Sequence, residues 1–250
     1  MKFIHKHKSP NFNKRKKGFS IKYVVLHYTA MKYRDEALEH LCNKRNKVSS
    51  HFLIDKLGKI YNLVEIRNRA WHAGKSYWKG KKDLNSLSIG VELDNSGYSI
   101  NFENYSLKQI NSLIKLIQYL CEKYHINREN ILGHSDIAPY RKIDPGKKFP
   151  WKILNKFNLS FKHITIPKYI LDKETIFFNK ISKKRLIKKI SLEMLSKIGY
   201  DVSPAKRNER NFFMLIKAYQ MHYRQSNVSG KLDSHTFNLI CYQYINEILT

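Results

Sequence analysis

The sequence is poor in cysteine, in acidic residues and in long apolar runs, and each shortage argues against a class of protein. Its three cysteines, Cys42, Cys121 and Cys241, lie far apart without a CxxC pair, which argues against a disulfide framework and a thiolate metal site. No run approaches the roughly 18 apolar residues of a membrane span. The N-terminus also lacks the apolar core of a secretory signal. We therefore expect either a cytoplasmic chain or an unorthodox export signal.

The shortage of acids leaves the chain strongly basic. Lysine and arginine number 47 against 20 acidic residues, which gives a formal net charge of +27 over 250 residues. Such an excess favours anionic partners, among them nucleic acid, acidic lipid and anionic cell-wall polymer. AT-rich coding would also enrich lysine together with Ile, Asn, Tyr and Phe, so charge alone assigns no partner.

Apolar patterning predicts an α/β domain over residues 21–155, with a central mixed β-sheet flanked by helices. Hydrophobic residues make up 42% of the chain, which is ample for a packed core. Periods of two or continuous apolar runs predict strands, and spacings of three and four predict helices. The predicted strands are 21–30, a hairpin within 51–64, 88–93 and 130–134, and the predicted helices are 34–46 and 106–124.

The two ends of the chain differ from this domain. Residues 1–20 contain seven lysines and arginines and no acid, which indicates a solvated basic arm, an extended lead-in or a disordered tail. Residues 156–180 have no clean period and are predicted to connect two domains. From 181 to 250 three helical stripes predict a C-terminal three-helix bundle, in which Gly199 ends the first helix and Asp233 caps the third.

Two histidines and one aspartate stand at strand ends or in loops, the positions that an open metal site requires. A catalytic zinc ion keeps three protein ligands and leaves one position for water. The chain has 11 histidines, and one histidine beside an apolar strand is more often a satisfied polar residue than a ligand. Composition alone therefore selects no ligand, and the local motifs must do so.

Three ordered segments resemble the type-2 N-acetylmuramoyl-L-alanine amidases. They are VVLHYT at 24–29, GHSDIAP at 133–139 and RKIDPG at 141–146. Further landmarks follow in the order expected of that family, and they are SHFLID at 50–55, AWHAG at 70–74, IGVEL at 89–93 and FPW at 149–151. The resemblance covers roughly residues 20–155, and it implies one Zn²⁺ ion held by His27, His134 and Asp144.

Two further residues are predicted to take part in catalysis. Glu92 is the candidate general base, because an ionised acid inside the apolar IGVEL run would be costly without a partner. Lys142 lies two residues before Asp144, so in an extended loop both side chains point the same way. The ammonium can then approach the oxyanion that forms when an amide carbonyl is attacked. The resemblance supports the choice of this lysine.

Four residues are predicted to face or support the substrate. Trp71 and His72 resemble a substrate-facing pair of the family, although a buried aromatic and its packed neighbour would give the same pattern. His51 is expected to support the site or to pack on the hairpin rather than bind metal. Arg141, together with Asp136, is expected to orient the metal ligands.

The C-terminal stripes also carry motifs. GYDV at 199–202, AYQMHYR at 218–224 and GKLDSHT at 230–236 resemble the peptidoglycan-binding helical domain of the family's two-domain branch, with Tyr219 where Phe is usual. The resemblance implies hydrolysis of the amide bond between N-acetylmuramic acid and L-alanine in peptidoglycan or muropeptides. A wall-binding bundle favours the periplasm or cell envelope over the cytoplasm.

Two other classes of function remain open at the level of sequence. A non-catalytic peptidoglycan recognition module would share the fold, but the presence of all three ligand residues argues against it. A nucleic-acid binder would explain the charge and the 16 tyrosines, but no recognised nucleic-acid motif accompanies them. We therefore expect no nucleic-acid partner.

Overall fold

Six strands form one mixed sheet in a computed structural model, which describes residues 1–161 and 184–248. Across the sheet they are β1 (Phe3–Ile4), β5 (Ile60–Asn62), β4 (Phe52–Ile54), β7 (Ser88–Leu93), β3 (Tyr23–Tyr28) and β8 (Ile131–Gly133). The pair β4 and β5 is the predicted antiparallel hairpin, and the other neighbours run parallel. The predicted central mixed sheet is confirmed.

Both faces of the sheet are covered, as the side chains of β3 show. Successive side chains of a strand point to opposite faces. Val24 and Leu26 are fully buried in one cluster with α3 (Leu107–Tyr124) and α5 (Trp151–Lys156). Val25, between them, belongs to a cluster on the opposite face. This two-sided burial explains the continuous apolar run of the strand.

The structure places α1 at Arg34–Cys42 and therefore corrects the predicted helix at 34–46. Asn43 is extended, and its side chain accepts a hydrogen bond from the Arg45 backbone at 2.9 Å. This contact starts a separate 3₁₀ turn at Lys44–Asn46, so the α-helix cannot continue. Leu84–Leu87 forms the short helix α2 before β7. The end of the predicted strand 130–134 is also helical, because His134–Ile137 forms the short helix α4.

The N-terminal residues are part of the fold. β1 adds a parallel edge to the sheet, and β2 (Phe12–Lys14) pairs antiparallel with β6 (Asn68–Ala70). The strands fit the extended lead-in and contradict a disordered tail, while six of the seven cations in residues 1–20 are exposed, as expected of a solvated arm. Hydrogen bonds of Arg15 to backbone carbonyls of later segments hold the strands in place.

The C-terminal helices match the predicted stripes. They are α6 (Lys184–Ile198), α8 (Glu209–Tyr223) and α9 (Ser234–Ile248), with the short α7 (Ser203–Arg207) between the first two. Gly199 follows α6 at φ +141°, and Asp233 accepts a hydrogen bond from the Thr236 backbone at 2.9 Å, so both predicted caps are confirmed. Most of the predicted connecting segment 156–180 lies outside the described residues.

One hydrophobic cluster joins these helices to the sheet. It contains Val25 and Leu132 from the strands, Trp78 from a loop, and Leu195 and Ile216 from α6 and α8. The predicted domain boundary therefore has an apolar interface across it. Within the described part of the chain, no helix combines the length and apolarity needed to cross a bilayer.

Candidate metal centre

The three predicted ligand residues meet at one edge of the sheet. His27 lies near the end of β3, His134 directly follows β8, and Asp144 lies in the loop beyond α4. Since β3 and β8 pair in parallel, both histidines reach the same edge. All three side chains are buried. The parallel pairing therefore brings His134 to His27 across 107 positions, and the loop beyond α4 adds Asp144, 117 positions from His27.

The ligand atoms form a small triangle. Nδ1 of His27 lies 2.9 Å from Nδ1 of His134, and each lies 3.0 Å from Oδ2 of Asp144. In the described ranges, this is the one group of His, Cys, Asp or Glu side chains that converges closely enough for a metal ion. A tetrahedral ion with bonds of about 2.0–2.1 Å holds neighbouring ligand atoms roughly 3.3 Å apart. The triangle therefore needs only slight opening to hold such an ion.

A directed chain of hydrogen bonds supports His27 through Nε2, the ring nitrogen that does not belong to the triangle. Its Nε2 lies 3.1 Å from Nδ1 of His72, whose Nε2 lies 3.2 Å from the Ser88 hydroxyl, and that hydroxyl donates to the Leu84 carbonyl at 2.5 Å. Because a carbonyl only accepts, each group in the chain donates toward Leu84. His27 then carries its proton on Nε2 and presents an unprotonated Nδ1 to the metal position.

His134 has an equivalent support. Its Nε2 lies 3.2 Å from the Ala73 carbonyl, and the Arg141 guanidinium donates to the Ala73 and Lys75 carbonyls at 2.9 Å each. Both histidines thus use Nε2 for a supporting hydrogen bond. The predicted orienting role of Arg141 agrees with this geometry, since Arg141 donates a hydrogen bond to the same Ala73 carbonyl that lies beside Nε2 of His134.

The electrostatics of the centre favour the metal-binding forms of its ligands. Burial, followed by the charge of His134, lowers the pKa of His27 to about 4. Burial alone would raise the pKa of Asp144, but its interactions with the two imidazoles, that with His134 most strongly, hold it well below its ordinary value. A neutral imidazole and an ionised carboxylate are the forms that bind a metal ion.

Glu92 lies beside this triangle. It is the register partner of His27 on the neighbouring strand β7 and is 9% exposed. Its Oε2 has no hydrogen-bond partner within the described residues. Burial, followed by the charge of Asp144, raises its pKa to about 8, while Lys142 acts in the opposite direction. A buried carboxyl without a partner, next to a metal position, is a candidate proton carrier.

An open cleft of about 350 Å³ leads to the ligands and to Glu92. Lys142, Arg141 and His72 line it, as predicted for groups that act at the site. Six further lining residues were not predicted from the sequence, and they are Tyr28, Met31, His40, Leu41, Val48 and Ile143. The sequence signal for Tyr28 and Met31 was their proximity to His27, and for His40 and Leu41 it was their position on one face of α1.

Two of the predicted substrate residues lie elsewhere in the described structure. The indole of Trp71 donates to Asn13 of β2 at 2.9 Å, and Trp71 is outside the cleft wall. His51 is fully buried; its Nδ1 accepts from the Gly90 backbone at 3.0 Å and its Nε2 lies 3.1 Å from the Asn68 carbonyl. Its supporting position fits the packing alternative, whereas direct substrate contact by either residue stays a prediction.

Asp136 is also buried, but its partners are unexpected. Oδ2 accepts from the Gly133 backbone and from Nδ1 of His222, and Oδ1 accepts from the Tyr200 hydroxyl, all at 2.7 Å. Tyr200 and His222 belong to the C-terminal region. Both residues lie in the GYDV and AYQMHYR motifs, and neither had a predicted role at the metal centre.

A mixed sheet that presents two histidines and an aspartate to an open cleft, beside an unpaired carboxyl, defines a metal-dependent hydrolase. The family model for N-acetylmuramoyl-L-alanine amidase matches residues 17–147. The chain belongs to the N-acetylmuramoyl-L-alanine amidase family.

Similar proteins agree over most of the chain. N-acetylmuramoyl-L-alanine amidase AmiD of Escherichia coli K12 is 36% identical over 233 residues, which are 86% of this chain and 79% of that protein. A structure of E. coli AmiD with anhydro-N-acetylmuramic acid-L-Ala-D-γ-Glu-L-Lys superposes with a TM-score of 0.78 at 32% identity, covering 94% and 93% of the two chains. The structure of Pseudomonas aeruginosa AmpDh3 with anhydromuramic pentapeptide superposes with a TM-score of 0.77 at 30% sequence identity. The match covers 93% of this chain and 94% of that chain. The predicted family, fold and enzyme class are confirmed.

Proposed function

We propose that the chain is a zinc-dependent amidase that hydrolyses the bond between N-acetylmuramic acid, intact or 1,6-anhydro, and L-alanine in peptidoglycan or muropeptides. The observation that carries this proposal is the triangle of His27, His134 and Asp144 beside the unpaired carboxyl of Glu92. The two similar structures that hold anhydromuramoyl peptides support the substrate class. The two-histidine, one-carboxylate ligand set supports zinc.

The reaction needs a stronger nucleophile and a stabilised oxyanion, because an amide carbonyl is a poor electrophile. When bound, zinc would lower the pKa of water and polarise the carbonyl. Glu92 accepts the proton of the attacking water and returns it to the leaving nitrogen of L-alanine. Burial suits the second step, since a raised pKa lets the carboxyl hold a proton near neutral pH. The charge of Lys142 lowers that pKa and so favours the ionised carboxylate that the first step needs.

Lys142 supplies positive charge on the same side. It lines the cleft, and its charge lowers the pKa of Glu92, so its field reaches the reacting groups. In the proposed reaction the ammonium stabilises the oxyanion that forms at the carbonyl. Arg141 and His72 keep the imidazoles of His134 and His27 oriented through the hydrogen bonds described above.

The test compares Glu92→Gln with Glu122→Gln, an exposed glutamate on α3. Both metal-loaded variants are given an anhydromuramoyl peptide and its intact muramic counterpart, and the released peptide is measured by chromatography and mass spectrometry. We expect Glu92→Gln to lose roughly 10²- to 10⁴-fold in rate while its metal content stays unchanged. Glu122→Gln should match the original chain. Undiminished hydrolysis by Glu92→Gln would refute the assigned role.

Metal analysis of the purified protein tests the choice of zinc. We expect one zinc per chain, loss of hydrolysis after chelation, and recovery on adding zinc back. Substitution of His134 by Ala should remove both metal and hydrolysis. Binding of the muropeptide without turnover by the zinc-loaded protein would instead favour the recognition module.

We further propose that the C-terminal helices bind the wall polymer and that the enzyme acts in the periplasm or cell envelope. Two features support this proposal: peptidoglycan is a polymer of the cell envelope, and the helices carry the GYDV and AYQMHYR motifs. Fractionation of the native organism followed by immunodetection tests the location. Recovery in the cytoplasmic fraction alone would favour the cytoplasmic alternative.

A further inference from the structure

A single buried carboxylate connects the C-terminal helices to the metal centre. Asp136 is completely buried, and it receives the Tyr200 hydroxyl and Nδ1 of His222 at 2.7 Å each. Tyr200 follows α6, and His222 lies near the end of α8. Two separate C-terminal elements therefore converge on one residue of the catalytic region.

Asp136 is hydrogen-bonded to the short turn that carries the ligand His134. Its carboxylate accepts from the Gly133 backbone at 2.7 Å, which fixes the residue immediately before that ligand. Within the same turn, the Ser135 backbone donates to the Asp144 carbonyl at 2.9 Å. This one turn therefore contains one of the three ligand residues and is hydrogen-bonded to a second.

The two C-terminal partners are themselves held rigidly. The Tyr200 side chain is fully buried, and its ring meets the edge of Trp78 at 4.9 Å between centroids. The His222 ring stacks on Trp151, with centroids 3.6 Å apart and planes 17° from parallel. Close packing of the donors favours one position of the Asp136 carboxylate, because buried polar groups keep their hydrogen bonds and charge-assisted hydrogen bonds are the strong ones.

We infer that Tyr200 and His222 are positioning residues of the metal centre. Through Asp136, the C-terminal helices hold the turn that places His134 and anchors Asp144. The inference rests on the proposed function, in which His134 and Asp144 bind the metal. It gives the C-terminal region a part in building the centre, separate from any binding of the polymer.

The chain offers a matched control in Tyr140. Its hydroxyl also bonds across the same interface, to the Asp201 carbonyl at 2.5 Å, but this bond does not involve Asp136. Tyr140→Phe and Tyr200→Phe each remove one interface hydroxyl and leave the ring in place. Only the second variant withdraws a donor from Asp136.

The experiment measures zinc affinity of the full-length chain by competition with a chromogenic chelator. Supporting groups behind metal ligands change metal affinity by about 10–100-fold. We expect Tyr200→Phe and His222→Phe to weaken zinc binding by about tenfold, at the low end of that range. Tyr140→Phe should stay within about twofold of the original chain, and His222→Asn, whose amide can donate near the position of Nδ1, should recover most of the loss.

A second readout reports the geometry of the site. The visible absorption of the cobalt-substituted protein should change in band position or intensity in Tyr200→Phe and remain unchanged in Tyr140→Phe. Equal affinities and equal spectra for these two variants would overturn the inference. A His134→Ala variant distinguishes a failure of the proposed ligand set from a failure of the positioning role. If it binds zinc as before, the proposed ligand set fails as well, whereas if it loses zinc and Tyr200→Phe does not, only the positioning role fails.

Discussion

Glu92 shows how one buried residue couples protonation to stability. Its pKa is raised to about 8 by burial and by Asp144, whereas an unfolded chain would titrate near its ordinary value of about 4.3. Between these values the folded, metal-free protein keeps a proton that the unfolded chain releases. This difference makes the folded state progressively less favourable as pH rises through the interval.

We therefore predict that Glu92→Gln stabilises the metal-free protein increasingly as pH rises from about 5 to about 8, because the amide has no proton to lose. Urea unfolding at several pH values measures the difference in free energy of unfolding between the variant and the original chain. Glu122→Gln, on the surface, should show no such trend. A difference independent of pH would contradict the buried, protonated state of Glu92.

Gly90 is the point where the strand passes the supporting imidazole. A Cβ at this position would lie 2.5 Å from Cγ of His72, far inside contact distance. We predict that Gly90→Ala lowers the free energy of unfolding by about 1–3 kcal/mol through overpacking and weakens metal binding, because His72 supports His27.

A double-mutant cycle isolates this clash. In the background of His72→Ala the added methyl group has space, so Gly90→Ala should cost much less there than in the original chain. Urea unfolding of the four proteins gives the coupling energy. Equal costs in both backgrounds would show that the contact with His72 is not the cause.

At the residue scale, the sequence predicted those site residues that lie within recognisable local motifs. His27, His134 and Asp144 each lie in a segment whose neighbours identify it, and their convergence is confirmed. The partners of Asp136 were not predictable in this way, because Tyr200 and His222 lie 64 and 86 positions away. Only the packing of α6 and α8 against the sheet brings them together.

At the scale of elements, the N-terminal strands depend on one cation. The Arg15 guanidinium donates to the Ile66, Asn85, Ser86 and Ser88 carbonyls at 2.9–3.1 Å. Burial is the main cause that lowers its pKa to about 10. Sequence alone could not separate this arginine from the lysines around it, because a basic run has the same composition whether its members are solvated or enclosed.

We predict that Arg15→Met destabilises the protein by roughly 2–3 kcal/mol, since several enclosed carbonyls lose a charged donor. Lys17→Met is the matched control, because Lys17 is an exposed cation of the same segment and should change stability by less than about 0.5 kcal/mol. Urea unfolding measures both. Similar effects for the two variants would mean that the segment contributes through charge and not through these hydrogen bonds.

Periodicity predicted the elements whose faces are fully determined by burial. The stripe of α3 lies against the sheet through Ile110, Leu113 and Ile117, and the predicted helix agrees closely with Leu107–Tyr124. Helix α1 ended early because a side chain capped the following turn. Local hydrogen bonds of this kind compete with helix continuation and have no periodic signature.

At the scale of the whole molecule, the C-terminal helices and the sheet share one apolar cluster. Separation would expose Val25 and Leu132 on one side and Leu195 and Ile216 on the other, all fully buried. It would also leave Asp136 without its Tyr200 and His222 donors. Exposing apolar surface and removing donors both cost free energy, so neither part unfolds without destabilising the other.

We therefore predict a single cooperative unfolding transition for the full chain. Calorimetry should give equal calorimetric and van't Hoff enthalpies, and helix content and tryptophan fluorescence should change together, because Trp78 lies in the shared cluster. Zinc binds only the catalytic region in this scheme, yet it should raise the midpoint of both signals equally, since a ligand of the folded state stabilises every part that unfolds with its site. Two resolved transitions, with zinc shifting only one, would show that the helices are an independent unit and that their contacts with Asp136 contribute little.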